Sequence, residues 1–317
     1  MLSDIPVVQS RIVGLGDTLV VELSDGEGHI GLAALPTSTA TRESLAAALS
    51  GKTATQPAVA AALENALLDL RCRRLAVPQH TLFGGPIRNE VPLVAAVVID
   101  PERPDEVVPR CERLLEALSA RILSLHTTIG GENIPAIVDE AARLCGGDVA
   151  LRLCLHGDVA DDARRRRLEA ALRAFTLECC YTESSAHPLD LGVTPVGLLA
   201  GGAQTEALRD LAPRGVVNSV LTDARTLGGV AMLETIAAVA QVFQLEVGLI
   251  APTSSLVDLI ANAHSAAAAF SVHGGVEVTR LPDFSPFGCA MGDFLRGGAI
   301  VLPDAPGLGL HLVRVPR

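Results

Sequence analysis

VPLVAAVVIDPERPDEVVPRCERLLEALSARILSLH, residues 91–126, is the stretch that decides the fold. Its two ends, VPLVAAVVI (91–99) and RILSLH (121–126), are short aliphatic and β-branched runs, and residues 104–119 between them place apolar side chains at helical spacing. A strand, a helix and a second strand of these lengths form one βαβ unit, so the two strands run parallel. Working outward, the alternation recurs. The runs VALRLCLH (149–156), LECCYTE (177–183), PVGLLAG (195–201), VVNSVLTD (216–223), LEVGLIA (245–251) and VEVTRL (276–281) alternate with helical stretches at 132–145, 160–174, 204–212, 228–243 and 255–269. Eight strand-like runs predict an α/β fold closed as a parallel barrel, with functional groups at the C-terminal ends of its strands.

Upstream of this repeat the pattern differs. TLVVEL (18–23) leads into the Gly-rich turn SDGEGHIG, which predicts a small antiparallel sheet, and residues 41–50 and 57–75 have helical periodicity with Pro57 at a helix start. About 17 residues precede the first clear strand.

The composition narrows the function. A chain of 317 residues, 49% hydrophobic but only 3% aromatic, fills its core with Ala, Val, Leu and Ile, as helices on a parallel sheet require. A formal charge of -11 without a basic stripe argues against nucleic acid as a partner. The opening MLSDIPVVQS has no signal-peptide pattern and no apolar run reaches membrane-spanning length, so a cytoplasmic protein with no membrane partner is expected. Seven cysteines without a CxxC pair argue against a disulfide framework and a zinc ribbon. Lys52 is the sole lysine, in the loop-like SGKTATQP, which removes lysine bases and Schiff bases from consideration. A mean hydropathy of +0.39 leaves apolar surface for a homo-oligomer interface.

Four separated motifs resemble one family. ALENALLDLRCRRLAVPQHTLFGGPIRNEVPLVAAV (62–97) resembles the cap-to-barrel junction of the mandelate racemase and muconate lactonizing branch of the enolase superfamily, with Leu82, Gly84, Gly85 and Arg88 matching its Leu-x-Gly-Gly-x-x-Arg turn. VVELSDGEGHIG (20–31) resembles the cap strand pair, TDARTLGGVAMLETIAAVAQVFQLEV (222–247) the Asp-x-x-x-x-Gly-Gly region, and VLPDAPGLGLHL (301–312) the terminal segment. The resemblance implies a TIM-like (β/α) barrel over residues 91–299. It also implies an N-terminal α+β capping domain over 1–90, trimmed relative to the family, to which 300–317 return.

It further implies proton abstraction beside a carboxylate, with the enediolate held by Mg²⁺ on acidic residues ending barrel strands three, four and five. In this sequence those places read Cys154 with His156, then Glu183, then Gly201 or Gly202, so one carboxylate remains and Mg²⁺ is disfavoured. The family's Lys-x-Lys is replaced by Ser124-Leu125-His126. Asp223 matches the Asp that orients a catalytic His, but Pro252 or Thr253 stands in the place of that His.

Two readings follow. The first is a divergent member that has lost the Mg²⁺-dependent activity and serves as a binding or assembly scaffold. The second is a working isomerase or lyase on a small carboxylate, with His126 as base and Asp223 as its partner. In that reading Glu183, Cys154 and His156 hold zinc or another soft metal, or no metal is present, and Thr253 joins the substrate site. Beside these two stands an anion-binding barrel in which the backbone amides of Gly201 and Gly202 receive a phosphate or sulfate. Plain structural roles compete at each position: a packed thiol for Cys154, a strand-end polar group for His126, a loop anchor for Asp223, a tight turn for Gly201-Gly202, and core packing for His264.

Overall fold

The computed structural model describes all residues except 1–5, 39, 51–55, 130–132, 159–160, 184–188, 202–203, 252–254 and 314–317, and only the backbone of 204–205. Gly202, Thr253, Pro252 and Lys52 therefore lie outside the described residues.

The chain opens with three antiparallel strands, β1 (Gln9–Leu15), β2 (Thr18–Ser24) and β3 (Ile30–Pro36), followed by helices α1 (Arg42–Leu49) and α2 (Pro57–Arg74). Strand β1 corrects the sequence reading, which began the sheet at residue 18. It pairs with β2 over seven residues, but it is an exposed edge and shows no apolar alternation. Strands β2 and β3 are buried on both faces. Val21, Leu23, Ala33 and Leu35 pack on Val59, Ala62, Ala66 and Leu70 of α2, while Val20, Leu32 and Ala34 join the main core. Helix α1 starts at a capping box between Thr41 and Ser44, and α2 starts with Pro57 and ends with Arg71, Arg73 and Arg74 near its negative pole.

The barrel then follows as β4 (Glu90–Val98), α3 (Val107–Leu118), β5 (Ile122–Thr128), α4 (Ile134–Cys145), β6 (Ala150–His156), α5 (Asp162–Leu172), β7 (Cys179–Thr182), β8 (Val196–Ala200), α6 (Gln204–Leu211), β9 (Ser219–Thr222), α7 (Ala224–Leu227), α8 (Val230–Phe243), β10 (Glu246–Ala251), α9 (Leu256–Ala268) and β11 (Val276–Val278). Every neighbouring pair from β4 to β11 is parallel, and β11 pairs with β4 to close the ring, as the eight runs predict. A hairpin of β12 (Leu295–Arg296) and β13 (Ala299–Val301) adds antiparallel to β4. No helix among the described residues is long and apolar enough to cross a membrane.

Strand alternation sorts the barrel into two environments. Outward residues such as Leu123, Leu125, Leu153, Leu155 and Val220 meet the helices in one continuous apolar layer. Inward residues include a smaller apolar group of Cys154, Cys179, Tyr181, Leu199 and Leu221, together with Ser124, His126, Arg152 and Glu277, all buried. Arg152 plugs the N-terminal end. It donates to Glu178 at 2.8 Å and to the Gly274 carbonyl at 2.7 Å.

The C-terminal segment returns to α2. Buried Asp69 accepts from the backbone N–H of Leu32 and of Leu308, both at 2.7 Å, and from Arg73 at 3.1 Å, while Arg73 donates to the Leu310 carbonyl at 2.6 Å. One carboxylate thus joins β3, α2 and the tail.

Closure of the ring depends on Gly275. Its φ is +82°, and a Cβ there would lie 2.8 Å from the Pro92 carbonyl oxygen. Gly275→Ala is expected to cost about 1–3 kcal/mol, read as a lower urea midpoint at unchanged slope, and an unchanged midpoint refutes this account.

His264 is buried in α9, its Nδ1 2.9 Å from Nδ1 of His80 and the two rings stacked, as its packing reading requires. Burial, reinforced by His80, pushes its imidazole down to about 3. An unfolded His titrates near 6.5, so below about that pH the unfolded chain binds the extra proton and stability falls as the pH drops toward 3. His264→Leu should flatten this slope, measured as urea midpoints between pH 7 and 5.

Candidate active site

The C-terminal mouth of the barrel opens into a cavity of about 520 Å³. Its walls carry Val98, Leu199, Leu221 and Ile250, and its polar groups include His126, His156, Glu183, Asp223, Arg225 and Glu277.

Four of these groups form one chain of hydrogen bonds. Nε2 of His126, at the end of β5, lies 2.8 Å from Oε2 of Glu277 on β11, and its Nδ1 lies 3.0 Å from Nε2 of His156 at the end of β6. His156 Nδ1 lies 2.9 Å from Oε1 of Glu183, which follows β7. The imidazoles stack with centroids 5.2 Å apart. His126 and Glu277 are buried, whereas His156 and Glu183 are partly open to the mouth. The sequence order 126, 156, 183, 277 becomes a spatial row because each residue points inward near the end of its own strand.

Both carboxyls are held as carboxylates. Burial opposes the charge on Glu277, but His126 outweighs it through its charge and hydrogen bond, leaving the carboxyl below the usual range. Burial likewise opposes the charge on Glu183, and the Gly157 N–H, at 2.7 Å, together with His156 outweighs it. A carboxylate only accepts. His126 Nε2 and His156 Nδ1 are therefore donors, and the bond between the rings needs one proton more.

Cys154 lies one inward step below His156 on β6, fully buried, with its Sγ 3.3 Å from Ser124 Oγ, which is itself 3.3 Å from His126 Nε2. Burial, and then Glu277, push its thiol well above the usual range, so without a metal it is not a nucleophile. Of the sequence-derived metal group, His156 and Glu183 touch each other. Cys154 instead falls with His126 and Glu277, and the ligand atoms of these three lie within 4.8 Å of one another.

Asp223 stands on another wall of the cavity, where it caps α7. Oδ1 accepts from the Arg225 N–H at 2.9 Å and Oδ2 from Arg225 Nη2 at 2.8 Å, the geometry of a loop anchor. Gly201 lines the cavity, and Gly202 and Thr253 lie outside the described residues.

Sequence reasoning missed Glu277 and Arg225. A Glu flanked by valines in VEVTRL was the available signal for Glu277, since a lone acid on the inward face of a barrel strand needs a partner. Arg225 lies within the stretch quoted for its Asp and glycines, yet nothing in its spacing shows that it faces the cavity.

Magnesium does not fit the places the resemblance assigns to it. Barrel strands three, four and five end in His156, Glu183 and Gly201, and both oxygens of Glu183 already accept hydrogen bonds. A hard ion that seeks several oxygens finds one occupied carboxylate.

Residues 193–314 match the model of a family described as enolase C-terminal domain-like. Comparison with curated proteins gives no match. Among solved structures, the chain is similar to an isomerase from Streptomyces coelicolor A3(2), with TM-score 0.73, 18% identity, and 98% of this chain and 94% of that one covered. It is similar to a mandelate racemase/muconate lactonizing protein from Paracoccus denitrificans Pd1222, with TM-score 0.73, 21% identity, and coverage of 98% and 95%. An enolase from Thermobispora bispora DSM 43833 complexed with magnesium and formate gives TM-score 0.74, 20% identity, and coverage of 93% and 83%. The chain thus shares its fold with these proteins along nearly its whole length, and its C-terminal part, residues 193–314, matches the enolase C-terminal domain-like family.

Proposed function

We propose that this chain is an enzyme of the isomerase or lyase class that removes or returns a proton beside the carboxylate of a small organic acid. The observation that carries this reading is the unbroken row Glu277–His126–His156–Glu183 along an open cavity.

A pair of imidazoles bearing one proton more than two neutral rings has an acid form and a base form that differ by that proton. In the base form a ring nitrogen takes the substrate's C–H proton, and the bonding electrons pass to the carboxylate as an enediolate. In the acid form the proton goes back, to the same carbon or to a leaving group. Glu277 and Glu183 fix the ring orientations. Arg225, whose Nη1 has no hydrogen-bond partner, brings a permanent cation to the cavity wall and suits the developing oxyanion. The volume falls in the range of small-molecule sites. The complex of the Thermobispora enolase with magnesium and formate agrees with a small carboxylate as ligand, although the proton-moving groups here act without that ion.

The scaffold reading needs neither an open mouth nor aligned proton donors, and both are present. Incubating the protein in D₂O with a panel of α-hydroxy, α-amino and dicarboxylic acids tests the proposal by mass spectrometry. Deuterium is expected at the carbon beside the carboxylate for at least one acid, with a loss of about 10²-fold or more in His126→Gln. No exchange across the panel returns the protein to the scaffold reading.

The state of Glu183 is open to an independent check. His156→Gln removes the charge and part of the hydrogen bonding that lower its carboxyl, so ¹³C-detected titration should move up toward the ordinary Glu value, with the Gly157 N–H still holding part of the shift. No upward movement would sink the row as described.

A further inference from the structure

We propose that His126 Nε2, Cys154 Sγ and a carboxylate oxygen of Glu277 form a binding site for a zinc-class divalent ion inside the barrel, beneath the mouth. The three groups come from β5, β6 and β11, all are buried, and their ligand atoms lie within 4.8 Å of one another. Zinc bonds of about 2.0–2.3 Å put tetrahedral ligands roughly 3.3–3.6 Å apart, so shifts of an ångström or so suffice. Thiolate, imidazole and carboxylate together suit zinc or cobalt and not magnesium.

Two observations besides this proximity point to a ligand. Glu277 is 1% exposed, and its Oε1 is a buried acceptor that makes no hydrogen bond, though Ser124 lies nearby. An unpaired buried oxygen is costly, and a cation would satisfy it. The ring nitrogen of His126 turned away from the trio is held by His156, which is held in turn by Glu183. Metal-bound imidazoles are oriented by such outer partners.

The charges balance as well. A divalent ion is neutralised by one thiolate and one carboxylate, so the loaded trio carries no net charge inside the barrel. Binding forms bonds to Nε2, Sγ and the carboxylate, and it releases to solvent the proton on Nε2 and the proton on the thiol. The ion then occupies the place of the Nε2 proton, so the loaded site and the metal-free row are alternative states. This effect on activity rests on the proposed function; the binding does not. The other such group among the described residues, Asp25, Glu27 and His29, lies in a turn without a thiol, and Asp25 there already accepts from two backbone N–H groups.

The test is titration of the metal-stripped, full-length protein with Co²⁺, followed by Zn²⁺. Expected are one equivalent of cobalt with a thiolate-to-cobalt charge-transfer band and tetrahedral visible absorption, displacement by zinc, and proton release on binding. Cys154→Ser should abolish the band and Glu277→Gln should weaken binding at least 10-fold, while His156→Gln and Glu183→Gln keep the band; circular dichroism checks each fold. A folded wild-type protein without the band overturns the proposal, whatever the variants do, as does a band that survives Cys154→Ser. Cobalt binding without deuterium exchange in the metal-free protein would count against the proposed function alone, and exchange without cobalt binding against this inference alone.

Discussion

Everything at the mouth of this barrel depends on the pairing that closes it. Strand β11 contributes only three residues, and their register against β4 sets Val276 beside Leu93, Glu277 beside Val94 and Val278 beside Ala95. On the other side of β4, Val98 is aligned with His126. The tilt of strands in a closed barrel brings Glu277 and His126 to a common level across β4, where Ala96 lines the cavity with nothing larger than a methyl group. A one-residue slip would turn Glu277 into the apolar layer under the helices and leave His126 without its carboxylate. Closure is therefore the first condition of the site.

The same alternation explains how a barrel can keep its architecture while its chemistry changes. Outward side chains of β4 to β11 build the layer that buries the helices, and they are uniformly aliphatic or small. Inward side chains contribute less apolar packing and tolerate His, Glu, Ser and Arg as long as these satisfy one another. Residues such as Cys154, His156 and Gly201 can therefore vary on the inner face while the outer layer stays as it is. What the inner face sets is the kind of group the interior can hold, and here the polar inward side chains His126, His156, Glu183 and Glu277 satisfy one another in a single row.

Buried charge also has a structural side. Arg152 at the bottom of the barrel, Glu277 near the top and Asp69 at the junction of cap and tail each sit among donors or acceptors from separate elements. Such groups cost desolvation energy, and removing one partner costs more than the pair contributes, so they act as alignment pins more than as sources of stability. Asp69 aligns β3, α2 and the tail, Arg152 aligns β6 with the turn before β11, and Glu277 aligns β11 with β5.

The sequence by itself determined the barrel and most of its inner row. Eight aliphatic runs at regular spacing allow one closed parallel arrangement, and a period of two puts Cys154 with His156, and Ser124 with His126, on the same face whatever the details. Local order was legible because it depends on neighbours in the chain. The edge strand β1 was not, because QSRIVGL is largely exposed and carries no burial pattern. Nor was the partnership of His126 with Glu277, 151 residues apart, since only the register of a three-residue strand joins them. The tertiary structure also decided the fate of Asp223, whose carboxylate turns to Arg225 two residues on, and the split of the sequence-derived metal group into a mouth pair, His156 with Glu183, and a deeper trio around Cys154. Which inward groups meet is a matter of strand tilt and closure, and these are properties of the whole ring that no single run of residues contains.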